Sequence, residues 1–403
     1  MRMAKFVFIV PPLTGHINPT LSLGTVLLER GHDVGWITLD QSLGEKLPPG
    51  GELLLIQYHE NDQQKKEAEK YLDLITQKVV YGIDSVKFLY EEVLIPLNRH
   101  SYEGIAALLD EFEPDLIITD HQMFAGAMAA FHKNLPYATS VTAPAAIKVM
   151  DELPKVHEWE VNQITALQQE FGIEHSKNLA TSDLLTLIFT SKEFFGEMEL
   201  PEQFKFVGPV FNRRQVEIPF NWEAFHAIRQ RSILVSIGTT FDHEHKKSFF
   251  SKVVEAFSSL DIHVIVVSDP GLFEAWPKNF TVQKQVPQVK LLPYVAAVVC
   301  HGGHNTVCES LMHGLPLVVI PIAYDQSHVA GRVVRVGAGE RLNFNRFIAK
   351  HLLEAVNLVL ENPSYKDAAM QIKQSFTHAG GNETAADLLE NALFKTSKTL
   401  IIT

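Results

Sequence analysis

The stretch "CHGGHNTVCES", residues 300–310, follows an apolar run from Tyr294 to Cys300. Ala296 to Cys300 reads as a buried strand, His301-Gly302-Gly303 as a tight loop, and His304 onward as a helix reaching His313-Gly314. A helix N-terminus presents unpaired backbone N–H groups and the positive end of its dipole, and glycines let an anion come close to the main chain. These properties describe a phosphate site, in which Asn305 and Thr306 add donors and His301 bonds a phosphate oxygen beside Gly303. Glu309 lies one turn in from Asn305 on the same face, where a carboxylate suits a ribose diol. Phosphate followed by ribose is the order of a nucleotide laid across a helix end. Two other readings compete. His301, His304 and Cys308 have a spacing that a metal could use, although this leaves the glycines unexplained, and a plain glycine-rich turn could carry incidental histidines.

Downstream, "GLPLVVIPIAYDQSHVAGRVV" (residues 314–334) is a buried strand, then Asp325-Gln326, then another helix. Ligands of open α/β sheets lie outside the carboxyl ends of the strands, so this pair should face the same crevice as His301. A carboxylate beside an amide suits sugar hydroxyls, and it is equally an ordinary helix cap.

Working outward, short β-branched runs alternate with longer amphipathic stretches, the pattern of parallel sheets wrapped by helices. Phe6 to Val10, Val34 to Thr38, Asp115 to Thr119 and Pro136 to Val141 read as strands of a first sheet, and residues 60–112 are mainly helical. Ile233 to Ile237, Ile262 to Val267, Ala296 to Cys300 and Leu317 to Ile320 read as a second sheet. Residues 208–222, "GPVFNRRQVEIPFNW", have prolines and no periodicity and form the expected linker. The expected division is residues 1–207, the linker, 223–380, and a closing helix and tail over 381–403 that packs back toward the first domain.

The chain has 403 residues, of which 46% are hydrophobic and 20% charged, enough for two full cores. A formal net charge of −12 argues against a nucleic-acid partner. Two cysteines, Cys300 and Cys308, make no disulfide framework and fit a reducing cytoplasm. The apolar run near the N-terminus is too short for a signal peptide, and no run approaches a membrane span. The expectation is a cytoplasmic protein, monomeric or weakly dimeric, touching a membrane only if it takes a lipid-like ligand.

At the N-terminus, His16 follows a strand and its loop, just before Asn18-Pro19, which reads as a cap with proline at a helix start. A helix N-terminus disfavours imidazolium, so His16 is expected to be neutral, as a general base must be. Asp120, at the end of the strand Asp115 to Thr119, is placed to orient it. His121 is a rival partner and Asp115 a rival carboxylate.

Together the motifs "VPPLTGHINPTLSLGTVLLERGHDV" (10–34), "VSIGTT" (235–240), "VPQVKLL" (286–292), "HGGHNTVCE" (301–309) and "AYDQ" (323–326) resemble those of the inverting, nucleotide-sugar-dependent glycosyltransferases of the GT-B fold. This is the family of macrolide, plant secondary-metabolite and zeaxanthin glucosyltransferases. The resemblance implies two facing Rossmann-like α/β domains with an interdomain cleft. It implies His301 on the α-phosphate, and Asn305, Thr306 and Ser236 on the β-phosphate, with Gly238 and Thr239 in the same loop. Glu309 would take the ribose, Asp325 and Gln326 the sugar, Val286 the base through its backbone, and Gln288 the nucleoside. Relatives often have an aromatic residue where Gln285 stands, so UDP and dTDP donors both remain open. His16 and Asp120 would be the catalytic pair, no metal or other cofactor would be required, and the acceptor would be a small apolar molecule. Phe88, Tyr90, Phe124 and Met150 are candidates for its pocket. A nucleotide-sugar epimerase or hydrolase, and a non-catalytic nucleotide-binding relative, are the alternative functions.

Overall fold

A computed structural model describes residues 3–57, 83–174, 177–211, 218–238 and 243–402. Two all-parallel sheets organise them. The first has the order β3-β2-β1-β4-β5-β6-β7, from β1 (Lys5–Ile9), β2 (Asp33–Thr38), β3 (Glu52–Leu55), β4 (Leu116–Asp120), β5 (Tyr137–Val141), β6 (Thr186–Ile188) and β7 (Phe204–Phe206). The second has the order β10-β9-β8-β11-β12-β13, from β8 (Arg231–Ser236), β9 (Ile262–Val267), β10 (Phe280–Gln283), β11 (Ala297–Cys300), β12 (Leu317–Val319) and β13 (Gly339–Arg341). Central strands such as β1 and β11 are covered by helices on both faces, which is why they read as unbroken apolar runs.

In each sheet the strand order reverses once, between β1 and β4 in the first and between β8 and β11 in the second. A crevice opens at such a switch point, outside the carboxyl ends of the strands. His16 follows β1, Asp120 ends β4, Ser236 ends β8 and His301 follows β11, so all four occupy switch points.

The helix after β1 departs from expectation. It runs Thr14–Glu29 with extended Leu13 as its N-cap, and Pro19 lies inside it. The Leu13 carbonyl accepts from the backbone N–H of His16 and Ile17, so the first turn forms before Asn18-Pro19 is reached. A proline removes only one rung of the ladder, and the buried face Ile17, Leu21, Leu23, Val26 and Leu27 holds the whole helix against the sheet. Gly24 permits the close fit. A Cβ there would come within 2.2 Å of the Trp36 ring, which stacks on Phe8 and donates its indole N–H to Thr20 Oγ1 at 3.0 Å.

The closing helix Gly381–Ile402 leaves the second unit and packs on the first. Ala385, Ala386, Leu389 and Ala392 join the cluster that holds Ile17, Leu21 and Val26. Arg30 pairs with Glu383, Asp387 and Glu390, and His32 Nε2 meets Glu390 Oε1 at 2.9 Å. Further bonds join segment 189–196 to the second sheet's helices. His304 Nε2 donates to the Phe189 carbonyl at 3.1 Å, Arg332 Nε to the Phe194 carbonyl at 2.7 Å, and Ser191 meets Ser375 at 2.8 Å. Among the described residues no helix is long and apolar enough to cross a membrane.

Candidate active site

His16 stands in the first turn of its helix, and its Nδ1 lies 3.0 Å from each oxygen of Asp120. Asp120 also accepts from the Gln122 backbone N–H at 2.9 Å. His121 Nδ1 approaches the same carboxylate at 3.3 Å, and its ring stacks on His16 with centroids 5.5 Å apart. Asp115 is no rival. It accepts from the Lys5 backbone N–H at 2.7 Å, at the amino end of β1 and β4, a strand's length of roughly 16 Å from Asp120.

The proton affinity of His16 runs against the helix-end argument. Burial lowers its proton affinity, but the charge and hydrogen bond of Asp120, helped by Asp325, raise its pKa above the ordinary imidazole value. A full carboxylate charge at hydrogen-bond distance outweighs the partial charge of a helix end. Asp120 responds in kind: burial pushes its pKa up, yet His16 and His121 hold it well below the usual carboxylate range.

Thr142 is the member of this group that the sequence reading missed. It directly follows β5, is 5% exposed, and its Oγ1 lies 2.7 Å from His16 Nδ1 and 3.0 Å from Asp120 Oδ2. Position was the available signal, because residues just past the carboxyl ends of central strands line the crevice.

Across the cleft, "HGGHNT" forms the expected loop and helix, His304–Met312 with Gly303 as its N-cap. The His301 ring lies against two glycines. A Cβ on Gly238 would fall 2.9 Å from its Cε1, and one on Gly303 2.8 Å from its Nε2. Gly238 has φ +76°, a second reason for glycine there. Burial brings His301 down to about 4 against the opposing pull of a hydrogen bond with the Ser236 backbone, so the ring is neutral. The metal reading of His301, His304 and Cys308 finds no convergence. His304 is 3.4 Å from Cys308 Sγ but gives its Nε2 to Phe189, and among the described residues the group able to ligate a metal is His16, Asp120 and His121.

The other residues expected on the donor side have the following surroundings. Gln288 Nε2 donates to Glu309 Oε2 at 2.6 Å, and burial lifts Glu309 to about 7 while that bond pulls the other way. Val286 is buried and its carbonyl accepts from Gln288 N at 2.7 Å. Asp325 precedes the helix Gln326–Arg335 but makes no side-chain cap, and its electrostatic partners are His16 and His121 across the cleft. Gln326 differs from expectation: its Oε1 accepts from the backbone of Ile322 and Ala323 at 2.9 and 3.0 Å and pins the loop after β12. Asn305 Nδ2 points to the Gly15 carbonyl at 3.1 Å. Thr306 is half-buried in the first turn of its helix, and Thr239 lies outside the described residues.

The acceptor candidates separate. Phe88 and Phe124, 8% and 2% exposed, belong to a core cluster with Leu94 and Leu167, and Tyr90 stacks on Phe124 at 6.0 Å. Their burial makes them packing residues first. Met150, 39% exposed on the helix Ala145–Glu152, presents an open apolar side chain.

Comparison with known proteins agrees with this architecture. Residues 185–380 match the family model described as UDP-glucoronosyl and UDP-glucosyl transferase. An NDP-glycosyltransferase, YjiC, of Bacillus subtilis (strain 168) is 29% identical over 397 residues, covering 96% of both chains. Among solved structures, the calicheamicin glycosyltransferase CalG4 superposes with a TM-score of 0.74 at 22% identity, covering 98% of this chain and all of the other. The glycosyltransferase VinC in complex with dTDP gives 0.74 at 18% identity, covering 97% of this chain and all of the other. With two parallel sheets meeting at their switch points and relatives aligned from end to end, the chain has the GT-B fold of these glycosyltransferases, and its second unit carries the match to their family model.

Proposed function

We propose that the enzyme transfers a sugar, glucose before others, from a UDP- or dTDP-sugar to a hydroxyl of a small, largely apolar acceptor such as a polyketide, phenolic or carotenoid, with inversion at the anomeric carbon. The observation that carries this reading is the His16–Asp120 pair at 3.0 Å, set at one switch point and facing the glycine loop and helix end of the other. The relatives support a nucleoside diphosphate donor and a natural-product acceptor, since one is named for NDP-glycosyl transfer, one is bound to dTDP and one is named for calicheamicin.

His16 Nδ1 is committed to Asp120, which leaves Nε2 to take the acceptor's hydroxyl proton. As that proton leaves, the acceptor oxygen forms its bond to the anomeric carbon and the bond from that carbon to the phosphate oxygen breaks on the opposite face. Asp120 stabilises the imidazolium that results. The departing diphosphate gathers negative charge at the N-terminus of His304–Met312, beside Thr306, Ser236 and the neutral His301 ring. Preorganised donors and the helix dipole supply that stabilisation, so the chemistry asks for no metal. Glu309 and Gln288 face the ribose, and Asp325 with the Nε2 end of Gln326 the sugar.

The test is calorimetric titration with UDP and with dTDP, followed by acceptor screening with anomeric analysis of the product. Micromolar binding lost in His301→Ala, and product of inverted configuration, are expected. Failure of both nucleotides to bind would overturn the donor site. Turnover of the nucleotide sugar without any acceptor would mark a hydrolase or epimerase instead.

A further inference from the structure

Pro19 is the sixth residue of the helix Thr14–Glu29 and has no N–H to give to the carbonyl four residues earlier, which belongs to Gly15. Proline also crowds that carbonyl and turns it out of the helix ladder. The carbonyl that the ladder leaves open is exposed, so it can be bonded from outside its own helix. It has a partner 290 residues away in sequence: Asn305 Nδ2 donates to the Gly15 carbonyl at 3.1 Å. The approach is close enough that a Cβ on Gly15 would stand 3.8 Å from the same nitrogen.

The two ends of this bond sit beside the chemistry. Gly15 immediately precedes His16, whose ring meets Asp120, and Asn305 is the second residue of the helix His304–Met312 that faces the diphosphate. We infer that Asn305 is a positioning residue: through the carbonyl that Pro19 leaves open, it sets the donor-binding helix in register against the turn that carries His16. The inference deepens the proposed function and rests on it for the catalytic consequence, though not for the bond itself. It assigns Pro19 a purpose that a helix interior does not otherwise provide. It also adds to Asn305 a role beyond phosphate, because Nδ2 carries a second hydrogen and Oδ1 stays available.

The test is a double-substitution cycle with Asn305→Ala and Pro19→Ala in the full chain. Alanine at 19 restores an N–H that satisfies Gly15 within its own helix, so folding is not at risk. In ligand-free protein, Asn305→Ala should lower the melting temperature by about 1–2 °C when residue 19 is proline and by much less when it is alanine. Transfer should follow the same pattern. Asn305→Ala and Pro19→Ala should each lower kcat by about tenfold, and the pair should be no worse than Asn305→Ala alone. Pro19→Ala should leave UDP and dTDP affinity within about twofold, since it touches register and not the phosphate.

Equal and additive effects of Asn305→Ala in both backgrounds would overturn the inference and leave Asn305 as a phosphate ligand alone. No effect in either background would overturn it as well. If the wild-type protein bound neither nucleotide, the proposed function would fail while the melting cycle still decided the interdomain bond.

Discussion

Thr142 Oγ1 touches both members of the His16–Asp120 pair, at 2.7 Å from Nδ1 and 3.0 Å from Oδ2. A hydroxyl has one proton and two lone pairs, so Thr142 can donate to the carboxylate and accept from the Nδ1–H in the same geometry. That arrangement favours the tautomer in which Nε2 is bare and able to receive a proton.

Replacing Thr142 by Val should therefore lower kcat by about 10- to 100-fold, and Thr142→Ser should recover most of it. The acid limb of kcat/KM should also move up. A carboxylate with one donor fewer holds more charge for His16, which raises the imidazole pKa. Steady-state rates from pH 5 to 9 would check this, and an unmoved limb with full activity would remove Thr142 from the site.

His16→Ala should cost about 10²- to 10⁴-fold in turnover while nucleotide affinity stays within about twofold. Asp120→Asn tests the cause of the raised His16 pKa. Without that charge, burial is opposed only by the more distant Asp325, and the acid limb should shift down while kcat falls. The two variants need the same pH series and one calorimetric titration each.

Glu309 offers a pH signature for donor binding. Burial raises its pKa to about 7, and ribose hydroxyls are bound by the carboxylate form. Nucleotide affinity should thus increase from pH 6 to 8 as the carboxyl ionises, and Glu309→Gln should flatten the profile while weakening binding. Calorimetry at several pH values decides it.

Acid should loosen the fold through His301 and His304, both lowered to about 4 by burial. A histidine depressed from its ordinary value of about 6.5 is neutral in the folded state while the unfolded chain takes up a proton. Stability contributed by the neutral rings is therefore complete above pH about 6.5 and declines as pH falls toward 4. Melting temperatures across that window should show the slope. His304→Gln, which keeps a donor for the Phe189 carbonyl, should make it shallower.

Zinc provides a converse test of the base. The ligating atoms of His16, Asp120 and His121 lie within 4.8 Å of one another, so a divalent ion such as zinc bound there would occupy the group proposed to accept the proton. Micromolar Zn²⁺ should inhibit transfer and EDTA should restore it. Loss of activity in EDTA alone, recovered by magnesium, would contradict the proposed stabilisation of the leaving group.

Much of this protein was legible in the sequence because the relevant signals are local. Central strands such as Ala297–Cys300 are covered on both faces and are apolar throughout, and the glycines at 302 and 303 mark where a strand turns into a helix. His16, Asp120 and His301 could be placed because strand ends at a switch point define the crevice without any knowledge of packing. The outer, shorter strands were harder. β3, β6, β7, β10 and β13 are only three or four residues long, too short for periodicity to announce them.

Sequence alone thus determined two parallel sheets and marked the candidate phosphate loop and the candidate His16–Asp120 pair, since strand ends and glycine turns announce themselves through local residue types. Tertiary structure decided the start of the first helix at Thr14, the raised proton affinity of His16, the inward turn of Gln326 and the reach of Asn305 to Gly15. Those outcomes depend on which buried groups meet across tens to hundreds of residues, and hydrogen-bond satisfaction inside a closed cleft is settled only when both sides of it are present.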